Sequence, residues 1–155
     1  MKNFTQKFIG LLALVFAMSF TVNSQEIGDI YAGGIVFQIN EDGTGLVAAL
    51  EDITEGSNMG EGGTPEGFEW GCYQQTVSGA DGLSIGTGYQ NTLDIVAQNC
   101  QTQNGGITAA QATLNYESEG YSDWYLPSKD ELVEMFLTIG QGADNTGGFA
   151  EYWYF

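Results

Sequence analysis

Two short apolar runs flank a polar, glycine-containing turn in the first half of the chain. Residues 35–39 are rich in strand-forming side chains, and a second apolar run follows at residues 46–50. The six residues between them, 40–45, are Asn, Glu, Asp, Gly, Thr and Gly. Apolar runs on both sides of such a turn cluster predict a β-hairpin.

Three later segments carry helical signals. In the first, Asn91 is the predicted N-cap of a helix that ends near Cys100. The second is predicted over residues 108–117, beginning with a capping box at Thr108. The third begins at Ser128, which has a glutamate three positions later. Apolar residues recur at helical spacing in the third helix and predict a single face packed against the hairpin: Leu132, Met135, Phe136 and Ile139.

The N-terminus has the pattern of a secretory signal peptide. Lys2 and Lys7 precede an apolar run at 8–22, and small residues follow that run. The run is shorter than the roughly 20 residues that a bilayer core requires. The sequence therefore predicts a signal peptide over 1–24 and a single domain over 25–155. It also predicts export to the periplasm, the cell surface or the extracellular space, with no membrane span.

The predicted mature chain is strongly anionic. The full chain has 20 acidic residues against 3 basic ones and a formal net charge of −17. Beyond residue 24 only Lys129 is basic, so 20 acidic residues against one lysine give about −19. This charge excludes nucleic-acid binding, which needs a cationic footprint, and disfavours anionic membranes and sulfated polysaccharides. Neutral glycans and cationic protein surfaces remain compatible partners.

The two cysteines, Cys72 and Cys100, are expected to form a disulfide. An exported chain meets an oxidising environment, in which paired cysteines are the rule. Closing a loop of roughly 28 residues would stabilise the fold by about 3–4 kcal/mol in the chain-entropy model. A nucleophilic cysteine would need a nearby histidine or cation, and the chain contains no histidine and no arginine.

The predicted hairpin turn also resembles the start of a calcium loop. Asn40, Asp42 and Thr44 alternate as calcium ligands do, and with Asn40 as position 1 the glutamate expected at position 12 is Glu51. A calcium site of these four residues is therefore an alternative to a hairpin without a cofactor. It would require the second apolar run to leave the sheet, and the flanks have a strand pattern rather than a helical one. The hairpin is the prediction we favour, with no cofactor.

A larger set of motifs resembles a known family. The most specific is the run Asp-Trp-Tyr-Leu-Pro-Ser-Lys-Asp-Glu-Leu at 123–132. Shorter motifs accompany it at residues 27–37, 45–49, 70–72, 86–88, 91–92 and 120–122. Together they resemble the domain at the C-terminus of the Legionella collagen-like adhesin. The resemblance implies a C-type-lectin-like α+β fold with short antiparallel strands, two or three helices and long glycine-rich loops.

The resemblance also implies a binding or adhesion module rather than an enzyme. The adhesin's domain is associated with trimerisation and with sulfated glycans, but a chain with Lys129 alone has no basic groove for sulfate groups. The sugar signature of calcium-dependent lectins is missing as well, since Leu126 rather than Glu or Gln precedes Pro127 and no Trp-Asn-Asp triplet occurs. The family's ligand is therefore not transferred to this chain.

The sequence thus predicts an exported, non-catalytic recognition or adhesion module. Its candidate ligand-binding residues are Asp123, Trp124 and Tyr125. The alternative for this run is structural, with Trp124 and Leu126 in the core and Asp123 in a turn. Two other functions stay open: a glycoside hydrolase with a carboxylate pair such as Glu69 and Asp123, and a structural envelope protein without a small ligand.

The C-terminal residues are unusually aromatic. Phe149 is followed by four aromatic residues at 152–155. Members of the resembled family continue with a serine-rich segment and closing strands. We therefore expect this chain to lack its closing strands, to expose a strand edge and to form homo-oligomers.

Overall fold

Strands precede helices in this chain. The computed structural model describes residues 25–58 and 67–149. Its elements are β1 (Ile30–Tyr31), β2 (Gly34–Ile39), β3 (Gly45–Ala49), α1 (Gly88–Ala97), α2 (Ala109–Asn115) and α3 (Lys129–Thr138). The fold class is α+β, as predicted. The predicted signal peptide at 1–24 and the aromatic residues at 152–155 lie outside the described residues.

The predicted hairpin is confirmed. β2 pairs with β1 and β3 in an antiparallel sheet of order β1-β2-β3. In the turn, the Asn40 N–H donates to the Thr44 carbonyl at 2.7 Å. The pairing of β2 with β3 is irregular between Val36 and Gln38, where a β-bulge interrupts the alternation of side chains. The first four residues of β2, 34–37, are all buried, whereas Gln38 is half-buried.

The core joins the hairpin to α3. Ile35, Phe37, Ala48 and Ile139 form a buried cluster, against which Leu46, Met135 and Phe149 pack. The single proton of the Thr138 hydroxyl is shared between the Glu134 carbonyl at 2.6 Å and the Phe37 carbonyl at 3.1 Å, so the last turn of α3 contacts the bulged strand. The prediction that α3 packs against the hairpin is therefore confirmed.

The predicted apolar face of α3 is wrong at one position. Phe136 is 40% exposed, whereas Ile139 is fully buried. A Cβ atom added at Gly142 would lie 2.7 Å from Phe136 Cε1, so the ring covers the backbone of the turn that follows the helix. The buried face of α3 is therefore rotated away from Phe136 and towards Glu131, which is fully buried.

The helix starts are partly as predicted. The N-cap of α1 is Thr87 rather than Asn91, which corrects the predicted start. Asn91 lies inside the helix, and its amide exchanges two hydrogen bonds with the backbone of Gly82, at 3.0 and 2.6 Å. The Thr108 hydroxyl caps α2 as predicted, although this helix ends at Asn115 rather than at residue 117. The capping box of α3 at Ser128 is complete.

The predicted disulfide is present. Cys72 and Cys100 are bonded, with their Cα atoms 4.8 Å apart. Cys100 follows α1 directly, so the bond ties the end of this helix to the loop that precedes it. Among the described residues, no helix has the length and apolar character needed to cross a membrane.

Candidate functional site

A groove of about 900 Å³ is bordered by β3 and by the segment 121–127. All of β3, Gly45–Ala49, lines it, and so do Tyr121 and residues 123–127, which form the aromatic wall. Leu132 also lines it, as do Met135 and Phe149, which pack against the core. We call this cavity the β3 groove.

The three candidate ligand-binding residues lie together in one wall of the β3 groove. Asp123, Trp124 and Tyr125 all line it. Asp123 is exposed, and Trp124 and Leu126 are half-buried rather than part of the core cluster. The structure therefore places this run at a cavity wall, between the two alternatives that the sequence left open.

One hydrogen bond and one edge-on ring contact hold Trp124. Its indole N–H donates to the Tyr121 carbonyl at 3.0 Å. Its ring meets that of Tyr116 edge-on, with the ring centroids 5.7 Å apart. Both contacts hold the indole at the groove.

Tyr125 is held by the carboxylate of Glu131. Its hydroxyl donates to Glu131 Oε1 at 3.3 Å, and its ring packs edge-on against Tyr89 with centroids 5.8 Å apart. The pKa of Tyr125 is raised to about 12, chiefly by burial. The charge of Glu131, the hydrogen bond to Glu131 and the charge of Asp123 raise it further, in that order. The phenol is therefore a neutral donor at physiological pH.

Glu131 is the residue of this region that sequence reasoning missed. It is fully buried. Besides the Tyr125 hydroxyl, it accepts the Gly86 N–H at 2.8 Å and the Ser128 N–H at 2.6 Å. Its capping-box position was visible in the sequence, but such a glutamate is ordinarily at the surface. The close approach of Gly88, where a Cβ would lie 2.7 Å from the Leu126 carbonyl, is the structural reason for its burial.

A second buried polar residue anchors the same wall. Thr92 is fully buried in α1. Its hydroxyl donates to the Gly88 carbonyl at 2.8 Å and accepts the Leu126 N–H at 3.0 Å. Thr92 and Glu131 together hold residues 125–128 against the start of α1.

Three carboxylates at the β3 groove are solvent-accessible, in contrast to the buried Glu131. Glu51, Asp52 and Asp123 line the groove and are exposed. Exposed aromatic rings accompany them, with Tyr31 52% and Trp70 57% exposed. Neither lysine nor arginine occurs among the described lining residues. The groove therefore combines apolar rings with negative charge.

The structure brings together three of the four residues of the alternative calcium site. Asn40, Asp42 and Thr44 lie in the hairpin turn, where Asp42 Oδ1 accepts the Thr44 N–H at 3.0 Å and its hydroxyl at 2.6 Å. The hydrogen bond from the Thr44 hydroxyl lowers the pKa of Asp42 most, and the one from the Thr44 N–H lowers it further. Glu51 lies beyond β3, whose five residues extend roughly 16 Å. In the described residues, no group of three or more acidic, cysteine or histidine side chains could hold a metal ion.

The carboxylate pair considered for a hydrolase is not assembled in the β3 groove. Asp123 lines the groove, whereas Glu69 does not. Glu69 instead accepts the backbone N–H groups of Gln103 at 2.5 Å and Asn104 at 3.1 Å. It therefore holds a loop, which is reinforced by the Asn58 amide donating to the Gly105 carbonyl at 2.6 Å.

No protein-family model, no curated protein and no solved structure matches this chain.

Proposed function

We propose that this protein is an exported, non-catalytic recognition or adhesion module of C-type-lectin-like type, and that it binds its ligand in the β3 groove. The observation that supports the proposal is that Asp123, Trp124 and Tyr125 line the same groove as the edge strand β3. Ligand sites are typically concave, mainly apolar and lined by a few placed polar groups. The β3 groove meets each of these criteria.

The hydrogen bonds that hold residues 125–128 in place support a binding role for this wall. Buried hydrogen bonds from Thr92 and Glu131 hold residues 125–128, and the Cys72–Cys100 disulfide restrains the loop before α1. Ordering these groups in advance reduces the entropy lost when a ligand binds.

Export is tested with the full chain expressed behind its own N-terminus in a bacterial host. We expect the protein in the exported fraction, with residue 25 as the first residue found by N-terminal sequencing. Retention in the cytoplasm with Met1 intact would contradict the export part of the proposal.

Binding is tested by screening the purified protein against immobilised neutral glycans and peptides, with and without calcium. Ligands of the β3 groove should be lost on Trp70→Ala, because this exposed indole lines it. Tyr73→Ala is the matched control, since Tyr73 is 69% exposed but does not line the groove. If every ligand binds Trp70→Ala as well as the parent, the groove is not the binding site.

A further inference from the structure

The outer edge of β3 carries backbone groups that face away from the sheet. The Val36 N–H donates to the Asp29 carbonyl at 2.9 Å, and the Val36 carbonyl accepts the Gly28 N–H at 2.8 Å. The backbone N–H and C=O of Val36 therefore both point away from β3, although Val36 is paired with Val47 in the register. In an antiparallel pair of this kind, the N–H and C=O of Val47 point outward. By alternation, those of Gly45 and Ala49 do the same.

The β3 groove includes this edge. Successive side chains of a strand point to opposite faces of a sheet, so a cavity on one face would contact only alternate residues. All five residues of β3 line the groove, as do Gly43 and Thr44 of the turn before it. Val36, Phe37 and Ile39 of β2 line it as well, so the cavity reaches residues of both faces of the sheet and includes the outer edge of β3. Within the part of the chain that the structure describes, β3 has no second strand beside it.

The rim of the groove favours a cationic occupant. Glu51, Asp52 and Asp123 are exposed at the groove and have no basic neighbour among its described lining residues. Tyr31 and Trp70 offer exposed ring faces, which attract ammonium and guanidinium groups. Side chains that alternate along an added strand would reach both kinds of group.

We propose that the β3 groove binds an extended, lysine- or arginine-rich peptide segment of a partner protein, which adds to β3 as an antiparallel strand. Main-chain hydrogen bonds to the β3 edge supply affinity, and the acidic and aromatic rim selects basic side chains. This inference rests on the proposed function, because it assigns a ligand class to the same groove.

Other occupants match the charge less well. A second copy of the chain carries the same formal charge of −17 and would be repelled at an acidic rim. The chain's own residues 150–155, Ala-Glu-Tyr-Trp-Tyr-Phe, contain an acid and no base. A neutral oligosaccharide could stack on the rings, but it has no strand backbone to pair with β3.

The test is titration calorimetry of the full-length protein with a blocked peptide of alternating basic and strand-forming residues, Lys-Val-Lys-Thr-Lys-Val-Lys-Thr. The same peptide with glutamate in place of lysine is the charge control. Two further peptides carry backbone N-methyl groups on either the odd or the even residues. We expect the lysine peptide to bind, the glutamate peptide not to bind, and only one N-methyl pattern to weaken binding by about tenfold or more, because only one set of N–H groups faces β3.

Protein variants separate the edge from the rim. Val47→Pro removes an outward N–H that β2 does not use, and an edge strand tolerates proline at such a position. It should weaken binding of the lysine peptide about tenfold. If this variant does not fold, the N-methylated peptides test pairing with the β3 edge instead. The double variant Glu51→Gln/Asp123→Asn should weaken binding about fivefold and reduce its salt dependence. Its matched control is Asp81→Asn/Glu117→Gln, which changes exposed acids outside the lining.

Several results would overturn the inference. These are equal binding of the lysine and glutamate peptides, full binding of both N-methylated peptides, or no binding of the lysine peptide. Concentration-dependent dimers that Val47→Pro abolishes would assign the edge to a second copy. Peptide binding only by a chain ending at Phe149 would assign it to residues 150–155. Cellohexaose binding that depends on Trp70, without peptide binding, would overturn this inference while leaving the proposed function intact.

Discussion

Replacing Glu131 by glutamine tests whether this buried carboxylate holds the groove wall. The side chain is fully buried and serves three donors: Oε1 accepts from the Gly86 N–H and the Tyr125 hydroxyl, and Oε2 accepts from the Ser128 N–H. Glutamine keeps the shape but has one carbonyl oxygen. Its NH₂ group must then face a donor, whichever way the amide is turned.

The cost follows from counting the donors left without an acceptor. If the carbonyl stays at the Oε1 position, the Ser128 N–H loses its partner and meets the amide NH₂. In the other orientation, both the Gly86 N–H and the phenol lose theirs. A buried donor left unpaired costs about 1–3 kcal/mol, and hydrogen bonds to a charged acceptor are at the upper end. We therefore expect Glu131→Gln to lower the free energy of unfolding by about 2–4 kcal/mol.

Urea unfolding of the disulfide-intact protein, followed by tryptophan fluorescence, measures this change. Glu117→Gln is the matched control, because Glu117 is exposed and the same charge is removed. The control should lie within about 0.5 kcal/mol of the parent. If Glu131→Gln also lies within that margin, the three hydrogen bonds do not stabilise the wall.

Three further predictions concern packing and pH. Ile139→Ala should cost about 2–5 kcal/mol in urea unfolding and Phe136→Ala distinctly less, because only Ile139 is fully buried; the reverse order would refute the described face of α3. Gly88→Ala should unfold at lower urea than Gly67→Ala, since an added Cβ would meet the Leu126 carbonyl at 2.7 Å at Gly88 and nothing within 4 Å at Gly67. The raised pKa of Tyr125, about 12, means that the unfolded chain releases this proton first, near pH 10. The stability involved is therefore present below about pH 10 and is lost as pH rises towards about 12; Tyr125→Phe should flatten this fall in urea midpoints, and an unchanged slope would refute the assignment.

Local signals in the sequence predicted the hairpin, two helix starts and the disulfide. The hairpin depends on turn chemistry within 40–45, and the caps of α2 and α3 depend on Thr108 and Ser128, whose partners are three residues away. The disulfide needed only two cysteines and an expectation of export. In each case the determining interaction is short-range or has few possible partners.

The errors arose where a distant contact overrides a local signal. Asn91 has the chemistry of an N-cap, but its amide is used by Gly82, nine residues earlier, and the helix starts before it. Helical spacing placed Phe136 on the buried face, but the turn after α3 folds back and leaves its ring at the surface. Periodicity identifies a stripe of residues and cannot specify the rotation of the helix to within one position.

The candidate site was predictable in one wall only. The motif at 123–127 marks the aromatic wall, because an aromatic and acidic run before a helix cap is visible in the sequence. The edge of β3 also lines the groove, and no side-chain pattern predicts it. Its outward groups are backbone atoms of Gly45, Val47 and Ala49. Whether a strand is an edge depends on which segments pair with it, and that is a property of the whole fold. The proposed binding through main-chain atoms is thus not visible in sequence motifs, and substitutions that test it must alter N–H groups rather than side chains.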